Sequence, residues 1–251
     1  MGTGKKLDYW KRIYLMGLPG TGKSTFLRQV TFINNQMLKS LCTRTLRDTI
    51  DRTLLLYRDL ECVKNGTKEN LPMNLSYLFS IIDSMQQSSY NYIPSLEDTI
   101  YLYHPTHTLH GYPVKMDYDE FILSELFDFD ENINSGHFSR QGHFVFFCSV
   151  LQNLKASRDF FSYTLQSLGF NSQQETISIV FTGYDILESE LELTSSFDMG
   201  GDMISTVQEA QDKVEEYFSE VYQNRQFSHI NLLDRNLVLY LMNDILEATS
   251  S

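Results

Sequence analysis

Residues Gly17 to Ser24 read GLPGTGKS, a complete G-x-x-x-x-G-K-[ST] pattern. Few sequence features restrict a fold as tightly, because the pattern needs a buried strand to deliver the chain to a tight glycine loop and a helix to leave it at the lysine. The flanks offer both. Arg12 to Met16 (RIYLM) is a short apolar run that predicts a buried strand, and Phe26, Leu27, Val30 and Ile33 fall on one face of a helix starting near Lys23. Gly17, Gly20 and Gly22 permit the turn, and the loop N–H groups with the positive end of the helix suit a phosphate. Lys23 is expected to reach terminal phosphates and the Ser24 hydroxyl to ligate Mg²⁺, with Thr21 and Thr25 as further nucleotide-binding candidates. The bland alternative is an ordinary glycine-rich strand-to-helix turn.

A second helical pattern runs from about Met37 to Asp59, and Asn65-Gly66 breaks it. Leu75, Leu78, Phe79, Ile82 and Met85 space as another helix, so residues 37–93 read as an all-helical insertion. After His110 the character changes. Phe121 to Phe127 (FILSELF), Phe144 to Leu151 (FVFFCSVL) and Ile177 to Phe181 (ISIVF) read as strands of a parallel sheet, with a helix near Arg158 to Leu168 between the last two. Val207, Ala210, Val214, Phe218 and Val221 predict an amphipathic helix. Phe227 to Leu233 is a candidate last strand, and Asp234 a candidate N-cap for a final helix through Leu246. The expected class is α/β: a P-loop, mostly parallel sheet with helices on both faces, built from residues 1–36 and 94–251 and interrupted by the helical insertion.

Composition narrows the function. A net charge of −12 without an extended basic cluster argues against nucleic acid as a partner. Cys42, Cys62 and Cys148 are scattered and odd in number, which fits a reducing, cytoplasmic setting better than a disulfide framework or a zinc site. No apolar run reaches the roughly 18 residues of a membrane helix. Gly2 suggests myristoylation, but Lys6 stands where that signal wants Ser or Thr. His104, His107 and His110 have ligand-like spacing, yet Pro105 among them favours a loop.

The segment STFLRQVTFINNQ after the loop resembles the first helix of heterotrimeric G-protein α subunits, where that helix also runs into an inserted helical domain. LRDTIDRTLLLYRDL is similar to the long first helix of that domain, and YIPSLEDTI to the segment leading into switch I. The stretch from Gly111 matches in length the family's path to the switch II aspartate, which would place that residue at Asp128. Thr106 falls at the switch I threonine on Mg²⁺ when counted from Asp98, with Thr108 as a rival when counted from Gly111. Where the family reads N-K-x-D, this chain has Thr182-Gly183-Tyr184-Asp185, so Asp185 would read guanine; a helix cap is the competing reading of that residue.

The resemblance implies GTP or GDP and Mg²⁺ as ligands, with nucleotide contacts at Gly17, Gly20, Thr21, Gly22, Lys23, Ser24, Thr25, Asp128 and Asp185 and metal contacts at Ser24 and Thr106. It also implies a GTP/GDP switch in receptor signalling, with a βγ dimer and a G protein-coupled receptor as partners and a cytoplasmic place at the inner face of the plasma membrane. The short ends leave no residues to assign to those two protein contacts. The switch I arginine and switch II glutamine are absent: no arginine occurs between Arg58 and Arg140, and no glutamine from Ile93 to Arg140. Hydrolysis is therefore expected to be slow or lost, and no catalytic residue is assigned. Two other classes fit the loop, a P-loop nucleotide or small-molecule kinase and a pseudo-GTPase interaction module.

Overall fold

The computed structural model describes residues 11–32, 111–116, 119–126, 142–169, 177–222 and 225–248. All of these except Thr31 and Phe32 belong to one compact unit, formed by residues 1–30 and 107–251. The helical insertion expected over 37–93 lies outside the described residues, as do Thr106, Thr108, Asp128 and the three spaced histidines.

The elements follow in the order β1 (Lys11–Met16), α1 (Lys23–Phe32), β2 (Gly111–Met116), β3 (Asp119–Glu125), β4 (His143–Ser149), α2 (Leu154–Leu168), β5 (Ile177–Thr182), α3 (Tyr184–Thr194), β6 (Phe197–Asp198), β7 (Met203–Ile204), α4 (Val207–Ser219), β8 (Arg225–His229) and α5 (Arg235–Ala248). Six strands form one sheet in the order β2-β3-β1-β4-β5-β8. Five run parallel, while β2 pairs antiparallel with β3 along its whole length. The mostly parallel sheet expected from the sequence is thus what forms, with β2 as its one antiparallel edge strand, which the sequence reading did not include. β6 and β7 make a separate small hairpin.

Strand alternation sorts the core into two layers. Tyr14, Met16, Phe144, Phe146, Cys148, Ile179 and Phe181 face α2, α3 and α4, meeting Phe161, Leu187, Val214 and Phe218. Ile13, Leu15, Val145, Phe147 and Val180 face the other way, onto Phe26 and Val30 of α1 and Val238, Met242 and Ile245 of α5. The central strands are apolar at nearly every position because both of their faces are covered. Phe146 and Phe161 sit 4.6 Å apart, and Phe26 and Phe147 5.3 Å apart, so aromatic pairs anchor each layer.

Helix ends follow local chemistry. The Asn153 side chain accepts from the Ala156 N–H at the start of α2, and Gly169 in the left-handed region closes it. α4 opens on a capping box between Thr206 and Glu209. Asp234 accepts from the Asn236 and Leu237 N–H groups, as expected of the N-cap of α5. The last strand is shorter than the apolar pattern suggested: β8 stops at His229, and the following residues turn. No helix among the described residues is long and apolar enough to cross a membrane.

Candidate functional site

The carboxyl ends of β1, β3, β4 and β5 lie on one edge of the sheet, the edge where open α/β sheets place ligands. The glycine loop leaves β1 there. Gly17, Gly20 and Gly22 have φ of 136°, 82° and 94°, left-handed values that other residues rarely adopt. A Cβ on Gly17 would come within 2.2 Å of the Phe147 carbonyl oxygen, and one on Gly22 within 2.1 Å of Leu232 Cδ1. A Cβ on Gly20 would also lie 2.9 Å from Gln152 Nε2, so all three glycines serve contact as well as conformation.

Thr21 is fully buried and donates from Oγ1 to the Leu18 carbonyl at 2.9 Å, which closes the loop on itself. Neighbouring strands brace it from outside. Thr182 at the end of β5 donates to the Thr21 carbonyl at 2.9 Å, and Gln152, just past β4, donates to the Pro19 carbonyl at 2.8 Å. Gln29 of α1 donates to the Leu232 carbonyl, tying the helix to the turn before α5.

Lys23 is buried, and its Nζ donates to the carbonyls of Gly17 (2.8 Å) and Leu18 (2.9 Å). Removal from water lowers its pKa to about 8, against an opposing pull from the Glu125 carboxylate. An ammonium has three donors, and these two bonds leave one for a ligand. Ser24 Oγ lies 2.8 and 2.9 Å from the two oxygens of Glu125, a buried carboxylate at the end of β3. Because Leu15 and Glu125 are partners in the β1–β3 ladder, the carboxylate sits beside the point where the chain enters the loop. Thr25, half-buried, is the next helical residue.

Glu125 is the residue that sequence reasoning passed over. FILSELF was read as one strand pointing at Asp128, but β3 ends at Glu125, and Asp128 lies beyond the described residues. The signal was present: an apolar run closed by its first acid. The length match to the Gα path from Gly111 to switch II instead places the acid three residues further on, at Asp128.

At the β5 end, Asp185 is the second residue of α3. Gly183 holds the N-cap position with φ 87° and no side-chain cap bond, so the cap reading of Asp185 is corrected. Asp185 instead adds negative charge to the first turn, where the helix dipole favours it. Beside it the Tyr184 hydroxyl contacts His229 Nδ1 at 2.7 Å, and His229 Nε2 contacts Glu215 Oε1 at 2.6 Å, with Phe181 stacked on the imidazole. This chain fixes the start of α3 to β8 and α4. Burial drives the Tyr184 phenol upward in pKa, then the nearby Cys148 and Glu215 add to it; burial likewise pushes the Cys148 thiol up to about 12, leaving both neutral.

The structure thus brings Gly17, Gly20, Thr21, Gly22, Lys23 and Ser24 to one place together with Glu125 and Thr182. Among the described residues no three His, Cys, Asp or Glu side chains cluster as a metal cage. A serine hydroxyl with one carboxylate nevertheless fits Mg²⁺, which keeps most of its waters and takes few protein ligands. No protein-family model matches the chain, and no curated protein matches it either.

Proposed function

We propose that the chain is a P-loop guanine nucleotide-binding protein resembling a G-protein α subunit, a GTP/GDP switch whose hydrolysis is slow or lost. The observation that carries this reading is the Ser24–Glu125 pair beside the buried Lys23 ammonium. A loop with three left-handed glycines, a cation at its centre and a hydroxyl–carboxylate pair at its helical end offers a polyphosphate what it needs: N–H donors, positive charge and a place for its counter-ion. Mg²⁺, when bound, would neutralise phosphate charge, with Ser24 and Glu125 as the residues to hold it directly or through water.

The β5 end supports the guanine assignment. Thr182, in the place of the family's asparagine, braces the loop through the Thr21 carbonyl, and Asp185 follows it by three residues. A carboxylate can accept from guanine N1–H and N2–H together, whereas adenine offers no such donor pair. Slow turnover follows from the missing arginine and glutamine: loss of an arginine finger alone removes about 10³ to 10⁵ in rate.

Binding of GDP, GTP and ATP, each with and without magnesium, tests the reading. Micromolar or tighter guanine nucleotide binding that needs magnesium is the expected result; tight ATP binding with no guanine binding would sink it. One observation favours a second reading, a pseudo-GTPase interaction module. Lys23 and Ser24 already have protein partners, so both side chains are held in place without a ligand. In that case no nucleotide would raise the melting temperature.

A further inference from the structure

Between Tyr184 and Tyr222 the chain has eleven Asp and Glu residues against a single lysine, Lys213. That lysine is turned inward: its Nζ bonds the Met199 carbonyl at 2.8 Å and the Asp202 carboxylate, holding the β6–β7 hairpin to α4. The carboxylates of Glu188, Glu190 and Glu192 on α3 have no cationic partner among the described residues. They also sit badly for the helix itself. Glu188 and Glu192 are an i, i+4 like-charge pair, and the last turn holds acid with no base, against the helix dipole.

Set into this acid is exposed apolar surface. Ile186 is 40% exposed and Leu193 81% exposed; seven residues apart, they share one row of α3 with Glu190 between them. On the adjoining hairpin, Phe197 and Ile204 pair inward while Asp198 and Met203 pair on the outer face, where Met203 is 65% exposed. A row of i, i+4, i+7 positions reading apolar–acid–apolar is what a packed partner helix covers, with its own apolar residues over Ile186 and Leu193 and its cations over the glutamates.

We propose that the exposed row of α3, with the outer face of the β6–β7 hairpin beside it, docks a basic amphipathic helix of another protein. Charge complementarity selects that occupant. A second copy of this chain would set acid against acid, and an apolar membrane surface would leave the glutamates without partners. The arrangement also explains why α3 keeps unfavourable charges that its own fold does not use. Nucleotide binding plays no part in the inference.

The test uses the whole chain and a fluorescein-labelled 18-residue helical peptide of leucine and lysine, with a leucine–glutamate peptide of the same pattern as control, followed by anisotropy. The lysine peptide is expected to bind, more weakly as salt rises from about 0.05 to 0.3 M, and the glutamate peptide not to bind. Ile186→Ser with Leu193→Ser leaves charge unchanged and should weaken binding at least tenfold. Glu190→Lys with Glu192→Lys should weaken it further and yet raise the melting temperature, an opposite movement that a merely structural role would not produce. Asp212→Lys with Glu216→Lys on α4 makes the same charge change elsewhere and should cost less than threefold. Equal loss in the two charge variants, or indifference to the serine variant, would overturn the proposal. So would self-association in sedimentation that the serine variant abolishes.

Discussion

Ser24 on the first turn of α1 donates its hydroxyl to Glu125, the last residue of β3, with the two carboxylate oxygens 2.8 and 2.9 Å away. The residues lie 101 positions apart in the chain, and the β1–β3 ladder is what brings them together. Ser24→Ala removes both the hydroxyl proposed to hold Mg²⁺ and the partner of a buried acid. We expect it to lower magnesium-dependent nucleotide affinity at least tenfold, with Glu125→Gln behaving alike. Calorimetry with magnesium or with a chelator reads the effect, and affinity that ignores magnesium in the unaltered protein would remove its basis.

Lys23 sets a pH dependence of its own. Burial depresses its pKa from 10.5 to about 8, so between those values the unfolded chain binds more protons than the folded one and this group makes stability rise with pH. Below pH 8 the folded protein retains the desolvation penalty, about 3 kcal/mol. Lys23→Met should therefore hold or raise the ligand-free melting temperature at pH 7 while nucleotide binding is lost. In the unaltered protein, triphosphate affinity should fall by up to about tenfold per pH unit above 8, as the ammonium loses its proton.

His143 acts in the acid range. Burial lowers its pKa to about 4, and its Nε2 lies 2.9 Å from Ser178 Oγ in the β4–β5 layer. The unfolded chain binds more protons between pH 6.5 and 4, so stability falls as pH drops through that window, by about 3 kcal/mol from this residue. Urea unfolding of His143→Gln at pH 7 and pH 4.5 should show a smaller loss than the parent; an identical loss would assign the acid sensitivity to other groups.

Gly17→Ala places a methyl group 2.2 Å from the Phe147 carbonyl oxygen at φ 136°, against backbone that cannot step aside. A loss on the order of 3 kcal/mol or more is expected. Gly22→Ala meets the side chain of Leu232 instead. Combining it with Leu232→Ala should recover part of the loss, leaving the strain of φ 94°. Purely additive melting shifts would show that the two residues do not meet.

Ser195 ends α3 in the left-handed region at φ 62°, the one described non-glycine residue to do so. Ser195→Gly should stabilise the protein by about 0.5 to 1 kcal/mol without touching the glycine loop or the acid row of α3. A thermal melt checks it.

Much of this architecture was legible in sequence because it rests on local periodicity. RIYLM, FVFFCSV and ISIVF read as strands from their unbroken apolar character, and α1, α2, α4 and α5 were expected from helical spacing or from the Asp234 cap. The loop's conformation was likewise local: glycines at 17, 20 and 22 mark where φ must be positive. α3 was foreshadowed only by the cap reading of Asp185, and β2 and the small hairpin were not anticipated, since these patterns are short and the acidic residues of α3 dilute its apolar signal.

The sequence by itself determined the tight glycine loop between strand and helix, the lysine and serine at its end and the alternation of strands with helices, since each depends on residues within a few positions of one another. Only the tertiary structure decided which acid meets Ser24, that Thr182 and Gln152 brace the loop, that β2 runs antiparallel and that Lys23 is desolvated. The loop's partners come from strand order and register, which bring together residues more than a hundred positions apart, the direction of β2 from its pairing with the neighbouring β3, and the state of Lys23 from burial, which sets proton affinity. None of these leaves a periodic trace in the chain.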